Sequence, residues 1–109
     1  MPAAYKVLGQ SNPSATTATV LYTVPSSTSS IVSTLSVANI GSTATTFRVA
    51  VRPAGATLAN QHYLAYDVSI PANDTTILTL GLSLATTDVV TVYAGNANVS
   101  FSLFGTEIT

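Results

Sequence analysis

The 109-residue sequence predicts an all-β fold, a single antiparallel two-sheet sandwich, and three observations carry that expectation. Apolar and polar residues alternate at period two along the chain, no 3.6-residue pattern persists for three turns, and Gly, Pro, Asn and Ser fall in clusters at short, even spacing. Eight strands result, approximately Ala4–Leu8, Ala18–Val24, Ile31–Asn39, Thr45–Arg52, Gln61–Ile70, Thr75–Leu82, Val89–Ala94 and Asn98–Phe104. They are separated by Asn12-Pro13, Pro25 to Ser30, Asn39 to Thr43, Pro53 to Thr57, Pro71 to Asp74, Ala85 to Asp88 and Gly95 to Asn98, all rich in turn-forming residues. The Ser/Thr-rich Ser26–Ser30 segment is too short to divide two cores, so residues 1–109 read as one domain.

Three strands announce which face is buried. In the fourth, Phe47, Val49 and Val51 oppose Thr46, Arg48, Ala50 and Arg52. In the fifth, Leu64, Tyr66, Val68 and Ile70 are expected inward, with Tyr63, Ala65, Asp67 and Ser69 outward. In the eighth, Val99, Phe101 and Leu103 oppose Ser100 and Ser102. One-sided burial belongs to antiparallel sheets packed face to face, which points to a jelly-roll or immunoglobulin-like sandwich.

Charge is the unusual quantity, at 6% of residues against about 25% in an ordinary soluble domain, with a net charge of −1. The 31 Ser and Thr residues must wet the surface instead, and Thr suits strands. Without cysteine there are no disulfides or thiolate metal sites, so apolar packing and backbone hydrogen bonds hold the fold. Three cations (Lys6, Arg48 and Arg52) are too few to neutralise a run of phosphates, which argues against nucleic acid. The most apolar stretch, Ile77 to Ala85, falls short of the roughly 20 residues a membrane-spanning helix needs, and Met1 to Gln10 lacks the apolar core of a signal peptide. A neutral surface, including outward Tyr63, Ala65 and Ala50, offers little resistance to self-association, so a homo-oligomer is expected.

Catalytic constellations are missing from the pattern. His62 and Asp67 have opposite parity on the fifth strand and cannot form a local dyad, so His62 reads as a partly buried or edge histidine. The acids Asp67, Asp74, Asp88 and Glu107 stand on separate elements, without the pairing that carboxylate hydrolysis requires. Asn73, Asp74, Asp88 and Asn96 could in principle gather around calcium but are ordinary turn residues, and the acceptor tripeptides beginning at Asn73 and Asn98 are short matches in a Ser/Thr-rich chain. No cofactor and no metal is expected, and the chain does not read as an enzyme. Tyr66, Phe47 and Phe101 are in phase with aliphatic neighbours and read as core, which leaves Tyr63 as the aromatic free to face a partner or ligand. Arg48 and Arg52 share the polar side of the fourth strand, about 13 Å apart. A solvated face accounts for them, and an inter-subunit contact to Asp67 or Glu107 is the sharper alternative. Arg48, Arg52, Tyr63 and Asp67 are thus the candidate interface residues.

Over Tyr5-Lys6-Val7-Leu8-Gly9-Gln10, Leu21-Tyr22-Thr23-Val24-Pro25, Phe47 to Gly55 and His62-Tyr63-Leu64-Ala65-Tyr66-Asp67, the sequence resembles small virion structural proteins of tailed bacteriophages, including phages of cyanobacteria. The likeness spans nearly the whole chain and carries over no catalytic residue. It implies a virion component assembled in the host cytoplasm, with the major capsid or tail proteins as further partners. A capsid decoration (cement) protein is the first reading. A tail-fibre or baseplate adhesin, with Tyr63 and the loops touching a host glycan, is the second. Trimeric assembly is expected by analogy with both.

Overall fold

The computed structural model describes residues 2–109. Eight strands form: β1 (Ala3–Ser11), β2 (Thr19–Thr23), β3 (Ser29–Asn39), β4 (Thr45–Arg52), β5 (Tyr63–Ile70), β6 (Thr75–Leu84), β7 (Val89–Ala94) and β8 (Val99–Ile108). Among the described residues the only helical pieces are two 3₁₀ turns, Pro53–Gly55 and Asn60–His62. β1 and β8 run further than the pattern suggests, since Gly9 and Gly105 break the alternation without ending the strand. A Cβ at Gly9 would strike the Leu21 carbonyl oxygen, and one at Gly105 the Ile31 carbonyl oxygen, so both glycines are sites of close backbone approach.

All ladders are antiparallel, in two four-stranded sheets of order β1-β8-β3-β6 and β2-β7-β4-β5. The chain behaves as one long hairpin whose turn lies between β4 and β5: outward from there, β3 pairs with β6, β2 with β7, and β1 with β8. Rolling that ribbon leaves the β4–β5 turn within one sheet and sends all the remaining connections across to the opposite sheet, and the result is the jelly-roll arrangement. An immunoglobulin-like sandwich would keep more consecutive strands together in one sheet.

The inner faces carry the aliphatic rows that the alternation predicts. Leu35, Val37, Phe47, Val49, Val90, Val92, Val99, Phe101 and Leu103 are fully buried. At the centre, the Phe47 and Phe101 rings meet edge to face, with centroids 6.3 Å apart, and join the two sheets. The inward sides expected for the fourth and eighth strands are therefore found, with Val51 half-buried near the end of its strand.

Polar side chains close the two ends of the seam. At one end, buried Asn39 shares its Nδ2 hydrogens among the carbonyls of Thr43 (2.8 Å), Pro71 (3.1 Å) and Ile70 (3.3 Å), and its Oδ1 accepts the Gly41 N–H at 3.0 Å. Two loops from opposite sheets are thereby tied by one amide. At the other end, Glu107 turns inward and accepts the Tyr22 hydroxyl at 2.6 Å and the Lys6 ammonium at 2.9 Å. Because Tyr22 gives its proton to Glu107, Ser30 donates in turn to the Tyr22 oxygen, at 2.6 Å. Burial first, and the adjoining carboxylate second, push the Tyr22 phenol up to about 12. The Tyr22 hydrogen bond first, and that of Lys6 second, hold the Glu107 carboxyl below its ordinary value.

Two outcomes test these closures. Asn39→Ala strands several carbonyls and is expected to cost about 1–3 kcal/mol in urea unfolding; a change within error would show that the loops need no tie. Since the folded state lowers the Glu107 pKa, its contribution is complete above the ordinary carboxylate range and is lost as pH falls through the folded value. Between about pH 5 and 3, Glu107→Gln should therefore lose less of its urea midpoint than the unsubstituted chain. Parallel pH profiles for the two proteins would contradict this assignment.

Candidate functional site

β5 is an edge strand, and its register against β4 is broken twice. Phe47 pairs with Val68, Val49 with Ala65 and Ala50 with Tyr63, so β5 carries extra residues on either side of Ala65. Asp67 adopts φ 50°, a left-handed conformation that Asp tolerates better than bulky residues. The bulge reverses the phase within one strand. Ile70 is fully buried as expected, whereas Leu64 (48% exposed) and Tyr66 (54% exposed), expected inward, face solvent, and Ala65, expected outward, packs on the core. Val68 keeps its inward register but is partly exposed at the sheet edge.

Released from the core, Tyr66 lies over Arg48. The guanidinium carbon sits 4.1 Å from the Tyr66 ring centroid and 4.2 Å from that of Tyr93 on β7, so Arg48 is sandwiched between two aromatic faces. Asp67 completes the clamp, accepting from Nε at 2.7 Å and from Nη2 at 3.3 Å. That bidentate pair raises the already high Arg48 pKa, so the guanidinium stays charged and is matched within its own chain. Within the chain, then, Asp67 holds Arg48, and Glu107 is engaged by Tyr22 and Lys6.

Tyr63 stands on the outer side opposite Ala50 and meets Tyr66 edge to face, with centroids 4.8 Å apart and ring planes at 85°. The two rings make perpendicular walls, and Asn60 completes a shallow concavity of about 340 Å³. Asn60 is set there by the 3₁₀ turn that leads into β5. In that turn the His62 N–H donates to the Ala59 carbonyl and the Ala59 N–H donates to His62 Nδ1, each at 3.0 Å. His62 is therefore a buried turn residue and not the strand residue that parity assumed. Its Nδ1 is used as an acceptor, which places the proton of the neutral ring on Nε2.

Arg52 lies further along the same face, donating to Thr91 Oγ1 at 3.0 Å and to the Ala56 carbonyl at 3.2 Å. Ala50, expected outward and exposed, lies on this side but is 1% exposed, with the Asn60–His62 turn packed against β4. The four turn residues considered for calcium are not gathered. Asn73 and Asp74 precede β6 and Asp88 follows it, at the other end of a ten-residue strand. Asp88 accepts the backbone N–H groups of Ala54 and Ala85, both at 2.9 Å. Among the described residues no three His, Cys, Asp or Glu side chains converge.

The outer face of the opposite sheet has a different character. Its register places Tyr5, Thr106, Ile31 and Ser83 in one row, Val7, Phe104, Thr34 and Thr79 in the next, and Gln10, Ser102, Ser36 and Ile77 in a third. Tyr5, Val7, Ile31 and Ile77 are exposed large apolar side chains there. None of the three cations and four acids lies on it, since Lys6 and Glu107 belong to inward rows and the others to the second sheet or to turns.

Of the clamp and the concavity beside it, Arg48, Tyr63 and Asp67 were legible in sequence, Tyr66 was read as core, and Tyr93 and Asn60 were missed. Tyr93 carries a signal, being out of phase with Val90, Val92 and Ala94; Asn60 carries none. If the bulge requires left-handed backbone at Asp67, Asp67→Val should be less stable in urea than Asp67→Gly by about 1 kcal/mol, because both lose the ion pair and only valine is strained. The reverse order would remove that account. No protein-family model, curated protein or solved structure matches the chain.

Proposed function

We propose that this chain is a non-enzymatic structural component of a tailed-bacteriophage virion, a capsid decoration (cement) protein that docks as a homo-oligomer, specifically a trimer. The observation that carries the reading is the uncharged outer face of the β1-β8-β3-β6 sheet, where hydroxyls alternate with Tyr5, Val7, Ile31 and Ile77 and nothing repels a second copy. Three further features support it. The phage resemblance runs along most of the chain. The jelly roll recurs in viral capsid domains, an argument by analogy of fold. The histidine and the four acids have structural partners: His62 caps Ala59, Asp88 holds two loops, Asp67 holds Arg48, Glu107 holds Tyr22 and Asp74 accepts the Thr75 N–H.

A second reading, a tail-fibre or baseplate adhesin, is favoured by one observation, the exposed tyrosine corner beside Arg48. Copy number separates the two, because a shell component is present on the order of hundreds of times per particle and a fibre component in tens. Quantitative proteomics of purified particles should give the higher figure. A few tens of copies would move the assignment to the tail, and absence from particles would end both.

Native mass spectrometry at micromolar concentration should give a trimer. Ile31→Lys combined with Ile77→Lys, which puts charge on the uncharged face, should give monomer, while Tyr63→Ser should leave the trimer intact. A monomeric unsubstituted protein, or an assembly indifferent to the two lysines, would overturn the oligomer assignment.

A further inference from the structure

The Tyr63–Tyr66 corner is built in a way that plain surface exposure does not account for. An exposed tyrosine on an edge strand is ordinarily free to change rotamer, yet Tyr66 has Arg48 on its ring, and Arg48 is itself held by Tyr93 and by both oxygens of Asp67. Little ordering remains to be done when a ligand enters, and reducing that cost is how a shallow site acquires affinity.

The electrostatics narrow the ligand. The positive charge at the corner is matched by Asp67, so a phosphate or carboxylate would have to displace an intramolecular bidentate pair. What remains open is neutral: two phenol rings at 85°, their hydroxyls, and the Asn60 amide, which offers both donor and acceptor. An extended peptide is a poor occupant, since the bulge at Asp67 breaks the regular edge that strand addition needs. A wholly apolar molecule would leave the Asn60 amide unmatched at the rim. A pyranose ring fits both demands, because one of its faces presents C–H groups to an aromatic wall while its perimeter carries hydroxyls.

We infer that the concavity formed by Tyr63, Tyr66 and Asn60 binds a neutral sugar ring of a larger glycan. The site is open and, at about 340 Å³, near the small end of ligand pockets, so weak single-site binding is the expected outcome. A homo-oligomer carrying several such corners would convert this into avidity on a polymeric glycan. The inference gives the adhesin reading its ligand class, but binding by the isolated protein does not require a virion, so the copy-number experiment and this one can fail separately.

The test is amide-resolved NMR of the ¹⁵N-labelled protein, titrated with neutral cello-, malto-, chito- and galacto-oligosaccharides, with polygalacturonate and inorganic phosphate as charged comparisons and a free phenol as an aromatic one. Saturable shifts confined to the surroundings of Asn60, Tyr63 and Tyr66 are expected with at least one neutral sugar. Tyr66→Ala should weaken binding at least about tenfold, Asn60→Ala should weaken it less, and Ile77→Ser on the opposite sheet should leave it unchanged. A preserved spectrum identifies each variant as folded, and Tyr63→Ala serves as the second probe should Tyr66→Ala perturb the fold. Shifts produced only by polygalacturonate or phosphate, only by phenol, or at another surface would overturn the assignment. So would an absence of shifts across the panel at millimolar sugar.

Discussion

With no cysteine to cross-link it and few charges to pair, the chain keeps its form by excluding water from the seam between two sheets, where Phe47 lies edge to face with Phe101. Each strand that lines the seam must present its apolar side inward, and this demand organises everything else. It explains why hydroxyls outnumber charges outside: Ser and Thr keep a strand's outer side wet and β-compatible while the inner side does the packing. It also explains why polar groups at the seam's ends are fully partnered. Asn39 and the Tyr22–Ser30–Glu107 chain sit where water would otherwise enter, and an unmatched group there would cost more than its removal.

The same demand accounts for what could and could not be read beforehand. β4 and the first half of β8, from Val99 to Leu103, keep strict alternation, and their buried rows follow from the residue types alone. β5 departs from it because the phase of a strand is inherited from its neighbour's register, and a bulge resets that register without leaving a glycine to announce it. Tyr66 was consequently legible as aromatic but not as exposed, and with it the setting of Arg48 was hidden. Gly9 and Gly105 misled in the opposite sense, as interruptions in a pattern that the backbone continues through. The strand order was beyond reach for a further reason: alternation says which side of a strand is dry, and nothing about which strand lies beside it.

The two outer faces that result are chemically unlike. One is a neutral array of hydroxyls and aliphatics. The other gathers Arg48, Arg52 and Asp67 beside three tyrosines, with each arginine fastened to neighbours in its own chain. The sandwich thus holds apart two surfaces of different chemistry, one uncharged and one built around fastened arginines.

The ribbon pairing has a consequence for how the molecule comes to exist. Ala3 pairs with Ile108 and the Thr109 N–H donates to the Pro2 carbonyl at 3.0 Å, so residues at opposite ends of the described chain lie side by side. Only the β4–β5 pair closes over a short stretch; β3–β6, β2–β7 and β1–β8 must each close over a longer one, and each becomes entropically easier once the pair inside it has formed. Loop-closure entropy alone therefore favours pairing that runs outward from Pro53–His62, and a topology so rich in non-local pairs belongs to the slow, millisecond-to-second class. β1 is thus the strand that covers one edge of β8, and without that ladder the edge would be open to pairing with another chain.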